Sequence, residues 1–213
     1  MRRHRPSLLP IALLTLASCT PGLKPGLDTM SIADARQQPD GEQVAVEGVV
    51  TVGSGTFDAG FAIQHRGAGI YVMPGDTTER YARGSRVFVS GVLANPNQQL
   101  TVSGAAVLVM DRGRVPAPRP LRTSEVNEDT EGLLVRVAGR VQGEVADDRP
   151  YGWKLMLDDG SGAVLVFVDA QTGIDVSGIR AGQALEVTGY AGQYDDHHEV
   201  LPRTPSDLRA PGS

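Results

Sequence analysis

The residues best equipped for chemistry in this 213-residue chain stand together near its end, as Asp195-Asp196-His197-His198-Glu199. Imidazole and carboxylate groups ligate Zn²⁺ and similar ions. On a β-strand, however, side chains alternate, so His197 and Glu199 share one face while His198 points the other way. That supplies two metal ligands, His197 and Glu199, with Asp195 or Asp196 as a third from the turn. The competing readings are a solvated hairpin tip and a pH-sensitive contact through the histidine pair.

Two further acid pairs, Asp147-Asp148 and Asp158-Asp159, have the residue types for general acid and base work or for metal-assisted hydrolysis. Neither has a nucleophile, a positioned histidine or an oxyanion donor beside it in sequence. Asp158-Asp159-Gly160-Ser161-Gly162 is explained by turn chemistry, with Asp capping the turn and Gly supplying positive φ. No EF-hand spacing is present, although a looser Ca²⁺ site among the acidic loops stays open. The expectation is a protein without catalytic residues and without a cofactor, and a metal-dependent hydrolase built on 195–199 is the minor alternative.

The elements that must hold these groups are short and numerous. Aromatic residues make up 5% of the chain, against 26 Gly and 14 Pro, a balance that favours strands and turns over helical bundles. Five apolar-alternating runs are predicted at roughly 43–52, 60–65, 69–74, 85–93 and 98–109. Five more fall at roughly 133–142, 152–158, 162–169, 183–191 and 197–201. The two sets repeat each other: VAVEGVV parallels LVRVAGRV, HRGAG parallels DDGSG, and GSRVFVSG parallels GQALEVTG. In the second copy the position of DDHHE corresponds to NPNQQ, 95–99, a plain hairpin tip. Mid-strand Gly48 and Gly139 sit where a small barrel must bend. Between the copies, residues 111–124 alternate Pro116, Pro118 and Pro120, which reads as a semi-rigid linker unable to enter a sheet interior.

The N-terminus predicts location. Arg2, Arg3 and Arg5 precede an apolar run from Leu8 to Leu16 and then small residues, the layout of a secretory signal and too short to span a bilayer. Leu16-Ala17-Ser18-Cys19 is similar to the lipobox of bacterial lipoproteins, and Cys19, the chain's single cysteine, is the expected lipidation site. Its acyl chains would anchor the protein outside the cytoplasm on a bacterial membrane. Without residues 1–18 the chain holds 17 basic and 25 acidic residues, a net −8, with the acidic excess in the second copy. Such a balance excludes a tight, non-specific DNA binder.

SIADARQQPDGEQVAVEGVVT, Gly55-Thr56-Phe57, Gly60-Phe61-Ala62-Ile63-Gln64 and Gly69-Ile70-Tyr71-Val72, with GYAGQYDDHHEVLPRTPSDL in the second copy, resemble OB-fold domains of secreted bacterial nucleases and cell-surface proteins. Tyr194, Pro202-Arg203 and Asp207 are the marks in the second copy. One departure is His65, where the family usually carries Asp. The resemblance implies an all-β protein of two tandem five-stranded OB-fold (Greek-key) barrels, an accessory binding module without the separate catalytic domain. The expected organisation is signal 1–18, tether 19–30, barrel 31–110, linker 111–124, barrel 125–208 and tail 209–213.

OB folds take ligands on the face of strands 2 and 3, framed by the 1–2 and 4–5 loops. With Phe61, Ile63, Ile70 and Val72 inward, Gln64, Tyr71 and Met73 face out, joined by Phe88. Arg66, Arg80, Arg83 and Arg86 supply positive charge. The candidate ligand contacts are therefore Gln64, Arg66, Tyr71, Arg83, Arg86 and Phe88. The partners they imply are single-stranded nucleic acid or an oligosaccharide, or other envelope proteins. The alternative is that Tyr71 and Phe88 pack against the second copy or cover a barrel end, and the arginines form a solvated rim. In the second copy a one-residue slip exchanges the faces, and the outward set of Lys154, Met156, Leu165 and Phe167 or their neighbours reads as a spacer or protein-binding surface.

Overall fold

The structure, a computed structural model, describes residues 28–211. The signal, Cys19 and most of the tether lie outside the described residues. Five strands form the first unit: β1 (Gln43–Val52), β2 (Phe61–His65), β3 (Ala68–Pro74), β4 (Ser85–Ala94) and β5 (Thr101–Arg112). They close into a barrel in the order β1-β2-β3-β5-β4, with β3 parallel to β5 and the other pairs antiparallel. That order is a Greek-key, OB-fold-like barrel. Strand alternation builds its core: Val44, Val46, Val50, Phe61, Ile63, Ile70, Val72, Val87 and Val89 are all buried together. A short helix, α1 (Ile32–Ala35), starts at Ser31, whose Oγ accepts from Asp34 N at 3.0 Å, and buries Ile32 and Ala35 against the same core. Such an N-cap contributes about 1 kcal/mol.

The chain then forms β6 (Arg119–Pro120), β7 (Leu134–Asp148), β8 (Gly152–Asp158), β9 (Val164–Asp169), β10 (Ala184–Tyr194), β11 (His197–Leu201) and β12 (Leu208–Arg209). These make a second sheet, β12-β10-β11-β9-β8-β7-β6, in which β10 also pairs with β7 and β9 runs parallel to β11. The stretch expected to be only a linker contributes β6 at the sheet edge. There Pro120, which has no N–H to donate, is tolerated. Leu208–Arg209, on the border of the expected tail, pairs with Glu186–Val187. β7 runs six residues past its predicted end because Ala146, Asp147 and Asp148 pair with Lys154, Trp153 and Gly152.

The register of the second sheet resolves the ambiguity between its faces. Leu157 pairs with Val164, and Leu155 with Val166, as Ile63 pairs with Ile70 and Phe61 with Val72. Leu155, Leu157, Val164, Val166 and Val168 are core, with Trp153 packed at its edge. Leu165 therefore corresponds to Tyr71 and Phe167 to Met73. At Gly139 the chain passes so close to β8 that a Cβ would sit 2.6 Å from the Asp158 carbonyl oxygen, a close approach that glycine permits. Among the described residues no helix is long and apolar enough to cross a membrane.

A third apolar cluster joins the two units. Val52, Ala62 and Tyr71 of the first meet Tyr190 of the second, with Phe57, Met73 and Leu201 around them. The Tyr71 and Tyr190 rings lie 5.7 Å apart at 53°, a tilted pairing worth roughly 1 kcal/mol beyond its area. Polar contacts ring the cluster. Gln64 Oε1 accepts from Leu134 N at 3.0 Å, and Gln99 Nε2 donates to Tyr190 Oη at 2.8 Å. Arg36 pairs with buried Glu131 at 3.0 Å, and Arg203 Nη1 donates to Thr51 O at 3.0 Å.

Candidate ligand-binding groove

The docking of the units decides which surfaces a ligand can reach. Gln64 and Tyr71 do face away from the first core, but they are only 7% and 8% exposed because the second unit lies on them. Tyr71 Oη donates to Asp58 Oδ1 at 2.6 Å, and burial together with that carboxylate raises its phenol strongly. The exposure expected of Gln64 and Tyr71 is therefore absent, Met73 is half-buried, and Tyr71 packs as the alternative had it. Small residues permit this: a Cβ on Gly60 would lie 2.5 Å from the Tyr71 ring, and Ala62 lies in the joining cluster.

Nor do the remaining first-unit candidates gather around that face. Phe88 pairs with Leu108, whereas Tyr71 pairs with Thr101 at the other end of β5, so Phe88 does not join Tyr71. Arg86 is held by Asp111 through bonds of 2.9 and 2.7 Å. Arg80 donates to the carbonyls of Thr77, Thr78 and Glu79 in its own loop. Arg66 and Arg83 are exposed, but Arg66 follows the end of β2 and Arg83 stands against the Gly53 turn that precedes it. About 15 Å of strand separates those two ends.

Asp158 and Asp159 behave as turn residues, whereas Asp147 and Asp148 end β7 and Asp148 pairs with Lys154. Asp158 Oδ1 accepts from Gly160 N at 2.7 Å, and Asp159 accepts from Ser161 N and from Thr123 Oγ1, both at 2.9 Å. Asp147 is bound to Arg149 at 2.6 Å. Among the described residues no three His, Cys, Asp or Glu side chains converge as a metal-binding group.

The corresponding face of the second unit is open. Lys154 and Met156 on β8, Leu165 and Phe167 on β9, and His197 and Glu199 on β11 line two depressions of about 580 and 450 Å³. Lys154 and His197 border both, so the depressions adjoin along one groove face. The wider one is walled by Tyr151, Tyr194 and Asp169, with Phe57 reaching across from the first unit. Gln171 holds that junction by donating to the Phe57 carbonyl. The narrower one is lined by Thr123, Val126, Val164 and His198. Tyr151 and Tyr194 are 70% and 51% exposed, far more than a ring kept for packing requires.

Charge on the groove floor is organised around Lys154. Its ammonium lies 2.8 Å from Asp148 and 5.9 Å from the Phe167 ring centroid. His197 and Glu199 share the face that strand alternation assigned them, with Nε2 4.0 Å from Oε2. Glu199 is not part of a solvated tip: its side chain is 9% exposed, and burial pushes its carboxyl up to about 7 against the opposing pull of Lys154. Burial, and then Asp58, also raises Asp169 beyond what the Gln171 N–H donated to it lowers. Sequence reasoning found Lys154, Met156, Leu165, Phe167, His197 and Glu199, singled out Asp148 only as half of an acid pair, and missed Tyr151 and Asp169. The missed signal was a tyrosine in a tight turn, Arg149-Pro150-Tyr151, with no core to join.

Glu199 gives a pH prediction. Its native carboxyl binds a proton more tightly than the unfolded chain does, so the native state carries the extra proton between about pH 4.5 and 7. Stability should then be full below pH 4.5 and decline as pH rises through 7, by up to about 3 kcal/mol. Urea unfolding from pH 4.5 to 8 should show this slope, and Glu199→Gln should flatten it. An unchanged slope in the variant would assign the effect to another group.

No family model matches the chain, and no curated protein does. Among solved structures, one of a murine DNA-binding protein bound with double-stranded DNA is 11% identical, covering 79% of this chain and 97% of that one, at a TM-score of 0.43. The p202 HIN1 structure in complex with 12-mer double-stranded DNA is 13% identical, covering 76% and 88%, at 0.39. A replication protein A heterotrimer bound to single-stranded DNA is 11% identical, covering 79% and 51%, at 0.28. Likenesses at these scores assign neither residue nor role to this chain.

Proposed function

We propose that this protein is a non-catalytic adaptor that binds another molecule of the cell envelope in the β8–β9–β11 groove of its second unit. One observation carries the reading: the first unit's β2–β3 face is sealed by the second unit, while the second unit's equivalent face is open and lined with rings. In this reading the second sheet, whose pairings run β7-β8-β9-β11-β10 and return to β7, is a second OB barrel. The first barrel is its support. Cys19 would carry the lipid anchor that holds the protein outside the cytoplasm, with residues 20–27 as part of the tether.

Trp153, the chain's single tryptophan, adjoins Lys154 on β8 and provides a fluorescence reporter. Titrating the mature chain with blocked peptides, chitotetraose and oligo(dT) should identify a probe that shifts its emission. Phe167→Ala and Tyr194→Ala should each weaken that probe by roughly 5- to 30-fold, as for ring contacts at a binding surface. A probe insensitive to both, but lost in Arg66→Ala or Arg83→Ala, would return the site to the first unit.

Single-stranded nucleic acid is the second reading, favoured by Tyr151, Phe167 and Tyr194 standing beside Lys154 as a stacking platform. It requires that oligo(dT) binding fall steeply with added salt.

A further inference from the structure

The groove's charges do not balance within the molecule. Lys154 is neutralised by Asp148 at 2.8 Å, which leaves Glu199 and Asp169 as acids in the wider depression. The Glu199 side chain is nine-tenths buried, lines the depression and receives no hydrogen bond. Its nearest basic neighbour is His197, 4.0 Å away. Asp169 accepts a single hydrogen bond, from Gln171 N. A carboxylate largely shielded from water, whose nearest base stands 4.0 Å away, is costly, and a cation arriving beside it reduces that cost.

We propose, resting on the groove as the ligand site, that the wider depression receives the alkylammonium side chain of an extended basic polypeptide segment. Lys154 shows the chemistry from within: its ammonium lies toward the Phe167 ring with a carboxylate at its side. Tyr194 and Phe57 offer further rings, and Glu199 and Asp169 the carboxylates, for a second ammonium from outside. The adjoining depression is apolar along Met156, Val164 and Leu165, which suits an aliphatic residue next to the basic one. A chain of phosphates would meet Glu199 and Asp169 instead, and be repelled.

Binding should strengthen as pH rises through 7, because Glu199 then ionises. The groups facing it across the depression are Asp148, Tyr151 and Lys154 from the β7–β8 side, Asp169 from β9, Tyr194 from the end of β10 and His197 from the start of β11.

The test is an amide-shift titration of the ¹⁵N-labelled mature chain with acetyl-Leu-Lys-Leu-amide, its norleucine counterpart, n-butylamine and oligo(dT). The lysine peptide should shift Phe167, Asp169 and Glu199, and bind at least tenfold more tightly than the norleucine peptide or butylamine. Glu199→Gln, and separately Asp169→Asn, should each reduce its affinity severalfold while leaving the spectrum dispersed. Equal binding of the norleucine peptide would overturn the cation pocket, and equal binding of butylamine would overturn the polypeptide ligand. Groove shifts with oligo(dT) alone would refute this inference yet leave the groove as the binding site. No groove shift with any of these, or with chitotetraose, would remove both.

Discussion

Asp207→Ala is expected to destabilise the protein by about 3–5 kcal/mol, the cost of breaking a buried ion pair by removing one partner. Arg203 and Asp207 have side chains only 7% and 8% exposed and meet at 2.9 Å. Asp207 Oδ2 also accepts from the Arg203 backbone N at 2.9 Å and from its Nε at 3.0 Å. The same guanidinium donates to Thr51 O on β1, so the pair locks the end of the second unit onto the first. Without Asp207 a guanidinium that cannot lose its proton stays buried with a single carbonyl partner. Urea denaturation should show the loss as a lower midpoint, with Asp207→Asn intermediate because it keeps one acceptor oxygen. Arg203→Met combined with Asp207→Leu should recover much of it, since an apolar pair of similar volume avoids the desolvation. A loss below about 1 kcal/mol in Asp207→Ala would mean that the pair is open to water in solution.

Arg203 and Asp207 were visible in the sequence as marks of a resemblance, but their physical role was not. Strand alternation tells inward from outward within a sheet, and it placed Phe61, Ile63, Ile70 and Val72 in the first core and His197 with Glu199 on one face. It says nothing about what covers an outward face. An outward tyrosine such as Tyr71 has the same pattern whether it meets a ligand, solvent or a neighbouring unit. In the second copy even the first step failed, because Trp153, Leu155 and Leu157 on one side and Lys154, Met156 and Phe167 on the other both carry apolar residues. Pairing of Leu157 with Val164 decided it. Size differences at matched positions were the overlooked signal. Gly60 and Ala62 on the sealed face correspond to Lys154 and Met156 on the open one, and only the small pair leaves room for another unit to lie flat. The burial of Glu199 escaped for a related reason: a charged residue near a hairpin tip reads as solvated, and the residues around it come from β8 and β9, about thirty to forty-five residues away in sequence.

That docking can be tested directly where the backbones of Gly69 and Gly132 meet. A Cβ on Gly69 would lie 1.9 Å from the Gly132 carbonyl oxygen and 2.4 Å from its carbon, and Gly132 has a φ of +86° that suits glycine. The obstruction is backbone, so no rotamer relieves it, and Gly69→Ala must push the Glu131–Leu134 turn away. With it go the bond from Leu134 N to Gln64 and the Arg36–Glu131 pair. The variant should lose more than about 3 kcal/mol, the range of severe overpacking plus a broken buried pair. Its cooperative unfolding should split into two transitions as each unit melts alone. Hydrogen exchange should accelerate at Leu134 N, and protease should cut within 113–118. Gly178→Ala, where an added Cβ meets nothing within 4 Å, is the control that should leave all of this unchanged. Undocking also uncovers Gln64 and Tyr71, so a ligand that prefers the first barrel would bind the variant better than the wild type. A ligand of the second unit's groove should lose the contribution of Phe57 and bind less well. If Gly69→Ala melts and exchanges like the wild type, the first barrel's β2–β3 face is free in solution, and Gln64 and Tyr71 stand again as candidate ligand contacts.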